Sequence, residues 1–399
     1  MGIEINRSRL DWLTRPDPDG LKSSGFLAVN NVSWAKGTIG KTGQHLTRKA
    51  GHDTDTDERE KIAKTLSLEQ TSFAGLLIIS QHKLCENQRD RVYGMLSLAA
   101  PKFRNDITVS YKRELRELYI ETGKACLKHD NSLLYLRLQA GRLKMPGLPS
   151  WCANLNSPPV DVGQFNGDLR AGLRDEDPEV ETTILVSHDS DAIGLVGFRA
   201  DQVQRIVPPY PNPRDGLVVG RLIRRGAWLA DCLSLLQTTL EVNRADEDDI
   251  PLAHVYAVTA STLSRVPDSK SLKQSYKDII RNISSQTHLP PGTPLGTPPY
   301  LPPEDRKPLF NDTDTWMSQV CPGRAYFTTA EGRVGIGPPD MKEGDVVAVV
   351  YGGDPVYILR ENVQTRTFEF VGDAFVHGLM ELSRTPVEAI RPDEWFHIV

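Results

Sequence analysis

"RAYFTTAEGRVGIGPPDMKEGDVVAVVYGGDPVYILR", residues 324–360, decides the fold class. Its apolar residues fall in short runs, RAYFTTA, RVGIG, DVVAVVY and PVYILRE, separated by EGR, PPDMKEG and GGD. Runs this short, rich in Val, Ile, Tyr and Phe, read as strands rather than helices. Gly and Pro stand where tight turns need special backbone angles. After ENVQTR the pattern continues in TFEFVGDAFVHGLM, residues 367–380. The expectation is an antiparallel β module over residues 321–399, a small curled sheet or barrel. TTILVSHDS (182–190) and AIGLVGFRA (192–200) read as a hairpin near 182–198 that is able to join it.

Upstream the period changes. LEQTSFAGLLIISQHKL (68–84), SYKRELRELYIETGKACLKHD (110–130), WLADCLSLLQTTLEVN (228–243) and SLKQSYKDIIRNI (271–283) carry apolar residues at helical spacing. In NQRDRVYGMLSLAAP (87–101), Asn87 is a candidate N-cap, Asp90 suits the first turn, and Pro101 closes the segment. Ser110 is a candidate cap for the helix after it. Residues 66–285 are therefore expected to form a mainly helical body, so the fold class is α+β. Residues 286–320 contain LPPGTPLGTPPYLPP (289–303), which proline keeps from helix or sheet and which reads as an exposed linker. Residues 1–65 are polar and lack apolar periodicity, so partial disorder is expected there.

Composition narrows the function classes. The chain has 399 residues, 25% of them charged and 39% apolar, ordinary for a soluble protein. A net charge of -5 offers no basic field for nucleic acid or anionic lipid. Cys85, Cys126, Cys152, Cys232 and Cys321 are scattered, with no CxxC, so neither a disulfide framework nor a zinc module is expected. No apolar leader opens the chain and no run is long enough to span a bilayer, so a cytoplasmic location is expected.

Strings that look like chemistry are weak. AKGTIGKT (35–42) has a phosphate-loop spacing, but GQHLTRKAGHD after it has no apolar helix face. DTDTDE (53–58) starts like a calcium loop, yet Glu58 replaces the turn glycine and Lys64 stands where a bidentate Glu belongs. SHDSD (187–191) holds Ser, His and Asp too close in sequence to form a triad among themselves. His377 alternates with apolar neighbours and reads first as a satisfied core histidine. No cofactor and no metal is expected.

RDRVYGMLSLA (89–99), then ITVSYKRELRELYIETGKACL (107–127), then LPSW (148–151) form an ordered set. This order resembles the fungal HET (heterokaryon incompatibility) family, with its Asp-Arg-x-Val-Tyr helix, tyrosine-led helix and Leu-Pro-Ser-Trp. Residues 324–360 and FEFVGDAFVHGLM are similar to the C-terminal β module of many HET-like proteins. The resemblance covers roughly residues 70–160 and 320–382. The family's upstream Ser-Tyr-x-Trp-Gly strand has only a poor counterpart, VSWAKG (32–37).

Two functions follow as expectations. One is a HET-like scaffold diverted to a small apolar metabolite, a cofactor-free cyclase of the Diels–Alder type in terpenoid or polyketide biosynthesis. Such a reaction needs orientation and a hydrogen-bond donor, not a metal or a nucleophile. On that reading Tyr93 and His377 are the donor candidates, and Trp151, Tyr351 and Phe375 wall a pocket between body and β module. The other is a non-enzymatic regulator or truncated relative in non-self recognition. An apolar pocket with a few polar handles favours the first, a filled interior the second.

Overall fold

Turn glycines and prolines cut the C-terminal chain into strands much as the sequence predicts. The computed structural model describes residues 72–81, 85–130, 132–140, 142–157, 165, 169, 171–172, 184–187, 190–210, 218–239, 251–260, 268–287, 312–380 and 393–399. All of them lie in the unit Leu66–Val399. The expectations for residues 1–65, for the strings at 35–42 and 53–58 and for the proline-rich stretch 289–303 lie outside the described residues.

In chain order the strands are β1 (Ile184–Val186), β2 (Ile193–Val207), β3 (Ala325–Thr329), β4 (Val334–Gly337), β5 (Val346–Val350), β6 (Val356–Asn362), β7 (Thr367–Val376) and β8 (Glu394–Ile398). The fold class is α+β, as the sequence indicates, with a C-terminal antiparallel β module. Its hydrogen-bonded order β2-β3-β4-β7-β6-β5 returns to β2, because β2 also pairs with β5. The sheet is therefore a closed barrel of six staves. Closure removes the unpaired edges that an open sheet exposes.

Strand β2 makes that closure possible. Its first residues, 193–197, pair with β8, residues 197–202 with β5 and residues 203–207 with β3. Gly197 sits at the handover from β8 to β5. A Cβ there would stand 2.0 Å from the Val349 carbonyl oxygen, so only glycine admits the close approach.

Helices accompany the barrel. They are α1 (Phe73–Ser80), α2 (Asp90–Tyr93), α3 (Pro101–Asp106), α4 (Leu115–Asp130), α5 (Val218–Thr239), α6 (Leu252–Thr259), α7 (Ser269–Thr287) and α8 (Asp312–Val320), with a 3-10 segment at Leu133–Gln139. Helix α5 lies against β2 and β3, α6 against β4, and α7 and α8 against these helices. Every residue of β3, β4 and β5 is buried. Successive strand side chains point to opposite faces, so both faces of these staves are covered. One apolar core runs from Leu229, Val255 and Tyr276 of the helices into Phe327, Ile336 and Phe375 of the barrel.

Local differences from the sequence reading have physical causes. Pro101 opens α3 instead of closing the preceding segment, because proline suits the first helical position, whose N–H has no partner anyway. Helix α4 begins at Leu115, not after Ser110, whose backbone N–H donates to the Tyr93 hydroxyl at 3.1 Å. Helix α8 occupies residues assigned to the linker from sequence. The N-terminus of α1 is capped by Ser72 and, across the fold, by Asp130, which accepts from Phe73 and Ala74 at 3.2 and 3.0 Å. Among the described residues, no helix is long and apolar enough to cross a membrane.

Candidate functional site

The five aromatic and histidine candidates fall into different settings. Tyr93 is half-buried at the end of α2. Its hydroxyl donates to the Ser110 carbonyl at 3.1 Å and its ring meets Tyr111 edge-on. Trp151 is fully buried. Its indole donates to the Asp191 carbonyl at 2.8 Å and packs beside Tyr135 over Gly123 of α4. Tyr351 follows β5, faces Phe198 of β2 and donates to the Asp393 carboxylate. Phe375 is part of the apolar core. His377, just past β7, is half-buried and stacks on Tyr256 of α6, ring planes within 4° and centroids 5.2 Å apart. Tyr256 belongs to the same core as Phe375, so these three share the seam between α6 and β7. Tyr93 and Trp151 keep their own partners in the helical region.

The barrel interior leaves its chemistry to buried polar pairs. Arg324, just before β3, is fully buried. It donates to the Asp373 carbonyl at 2.8 Å and to its carboxylate at 2.9 Å, and lies 3.9 Å from the centre of the Phe165 ring. Burial pulls its pKa down while the Asp373 carboxylate opposes that. Phe165 is held a second time, because Arg137 donates to its carbonyl at 2.7 Å. The segment after it joins the barrel through Ala171 and Gly172, which donate to the carbonyls of Asp354 and Gly353 at 3.0 Å each.

A second buried cluster lies on the seam between α6, α7 and β3. His254 is fully buried, with Nδ1 3.2 Å from the Tyr326 hydroxyl and Nε2 2.7 Å from that of Tyr276. Burial lowers its pKa to about 3, so the ring is neutral near neutral pH. Burial also pushes both tyrosines well up, so they remain hydroxyls. A neutral imidazole between two phenols has one donor and one acceptor to offer, and this cluster uses both. Fully buried and with both ring nitrogens already paired, it is not placed to act as a catalytic base.

The surface holds an open depression of about 510 Å³ beside the β6–β7 hairpin. Arg360, Glu361, Gln364, Thr367, Glu369 and Val399 are among its lining residues. Val363 and Phe368 line it as well, so its walls mix charged and apolar side chains, and it is open to solvent. Among the described residues, no group of three or more His, Cys, Asp or Glu is placed to hold a metal.

LPSW has a mechanical role that sequence reasoning missed. Ser150 donates through both its backbone N–H, at 3.0 Å, and its hydroxyl to the Val399 carbonyl. The same hydroxyl accepts from Phe370 of β7 at 2.8 Å. One serine thus clasps the helical region to stave β7 and to the residue that follows β8. Its only sequence signal was its place between Pro149 and Trp151. His254 and Arg324 gave no signal at all, since their partners are distant in sequence.

Residues 313–396 match the family model of the Het-6 beta-barrel domain, a HET-associated domain. That match starts in α8 and ends in β8, so it takes in five of the six staves and leaves β2 outside. The N-terminal HET region is not shown by any match. No curated protein and no solved structure matches the chain. The chain thus carries a HET-associated β-barrel at its C-terminus, closed by a strand drawn from well upstream of it.

Proposed function

We propose that this is a HET-like protein that works by binding, a non-enzymatic regulator in non-self recognition. One observation carries the reading: the barrel closes on six staves, and three of them, β3, β4 and β5, are buried at every residue. Even eight-stranded barrels have interiors only just wide enough for side chains or one small ligand. A six-stave barrel with Phe327, Val347 and Ile358 buried in it acts through its loops and the surface that the helices leave open. Deleting the gene in its host tests this: vegetative incompatibility should shift while the extracted metabolites stay the same.

The cofactor-free cyclase is the second reading, favoured by the Tyr256–His377 stack. That pair puts a half-buried imidazole on the seam between the helices and the barrel, where a donor to a substrate carbonyl belongs. Here Tyr93 and His377 donate, and Trp151, Tyr351 and Phe375 shape the substrate, an apolar terpenoid or polyketide. Loss of one metabolite with accumulation of its uncyclised precursor, and no change in incompatibility, supports this reading over the first.

A further inference from the structure

The motif RDRVY contributes two charges that point to different places. Asp90 accepts from the Tyr111 hydroxyl at 2.7 Å on the exposed side. Arg91 turns inward and donates to the Gln81 carbonyl at 3.2 Å. The side chain of the same Gln81 accepts from Arg142 at 3.5 Å, so one buried residue spans both guanidinium groups. Arg142 otherwise donates to carbonyls, those of Asn154 at 3.3 Å and of Ser157. Arg89, two residues from Arg91, donates to the Arg113 carbonyl at 2.7 Å.

No carboxylate joins Arg89, Arg91 or Arg142 in an ion pair among the described residues. The Nε atoms of Arg91 and Arg142 are buried and have no hydrogen-bond partner. Burial and the neighbouring Arg91 charge bring the Arg142 pKa down to about 10. Both arginines are half-buried, and neighbouring like charges with buried orphaned donors are unfavourable unless something of opposite sign joins them. The barrel treats its arginines differently: Arg324, Arg333 and Arg360 each have a carboxylate partner.

We propose that Arg91 and Arg142 form a binding site for a small oxyanion, the phosphate group of a metabolite. Phosphate fits better than a carboxylate because its two negative charges match two guanidinium groups. The planar N–H edges that the carbonyls leave unused suit its oxygens. Gln81 holds the two heads in place, and Arg89 adds charge behind them. This site is independent of the barrel and of either function above.

Titration of the full chain with inorganic phosphate at constant ionic strength, read by calorimetry and by melting temperature, tests the site. Saturable binding with a rise in melting temperature is expected. Arg91→Gln should weaken it about tenfold or more, as expected for loss of a charged hydrogen bond. Arg91→Lys should fall between the two, and Arg281→Gln, on exposed α7, should bind like the parent chain. Absence of saturable binding to the parent chain overturns the proposal. So does an Arg91→Lys affinity equal to the parent's, or an equal loss in Arg281→Gln. If Arg91→Gln fails to fold, the parent and Arg91→Lys titrations decide.

Discussion

Arginines in the barrel end on carboxylates, whereas arginines in the helical region end mostly on backbone carbonyls. Arg333 meets Asp201 at 2.7 Å, Arg360 grips Asp345 with two bonds of 2.9 Å, and Arg199 meets Glu394 and Glu361. In the helical region Arg89, Arg116, Arg137 and Arg142 reach the carbonyls of Arg113, Gly147, Phe165 and Asn154, although Arg116 also meets Asp191 and Arg113 meets Glu121. The difference follows from the backbone. Strands satisfy their carbonyls in the ladder, so a barrel guanidinium needs a side-chain acceptor. The described residues 147–157 belong to no strand, and their carbonyls take what arginine offers. Charge therefore ties stave to stave in one region and stitches irregular chain in the other.

The largest effects should separate the two regions by mechanism. Asp373→Asn strands Arg324 in the barrel without a countercharge, and denaturant unfolding should register a loss of about 3–5 kcal/mol. Replacing both partners with apolar residues of similar volume should restore much of that. On the helical side Trp151→Ala should also cost about 3–5 kcal/mol, through a cavity over Gly123 instead of a charge. If refilling the Trp151 site with Phe restores nothing, the indole hydrogen bond to Asp191 outweighs its packing.

Acid should find the seam next. His254 is neutral when folded, with a pKa lowered to about 3 from 6.5, so the unfolded chain takes up the proton first. Its contribution is complete above the unfolded value and is lost as pH falls from about 6.5 toward about 3. Roughly 3 kcal/mol should be gone by about pH 4. His254→Gln should flatten that part of the stability–pH curve, and an unchanged slope would assign the acid sensitivity to other groups. Smaller still, Ser150→Ala should cost about 1–3 kcal/mol by leaving the Phe370 N–H without its acceptor. Equal loss in Ser150→Thr, which keeps the hydroxyl, would point to packing and not to the clasp.

Legibility in the sequence tracks how local each interaction is. β3 to β7 were readable because their apolar runs are short and their turns use Gly and Pro. The hairpin strands at 184–186 and 193–207 were also visible. What periodicity does not carry is that β2 closes the barrel, since its partners β3 and β5 lie more than a hundred residues downstream. Helix α8 was missed because DTDTWMSQV is polar, and it is set by Met317 and Val320 packing into the core. Among the candidate residues, the apolar flanks of His377 were legible. The pairing of His377 with Tyr256 and of Tyr351 with Asp393 was not, because each joins separate parts of the chain.

The account rests on β2 as the sixth stave, and amide hydrogen exchange on the full chain measures that directly. Amides of residues 197–207 that bond to β5 and β3 should exchange as slowly as those of β5 and β6, because opening a closed barrel at one stave opens all of it. Exchange of residues 197–207 at the rate of an exposed edge, with β5 and β6 still protected, would mean that the barrel is open and the account of its closure is wrong.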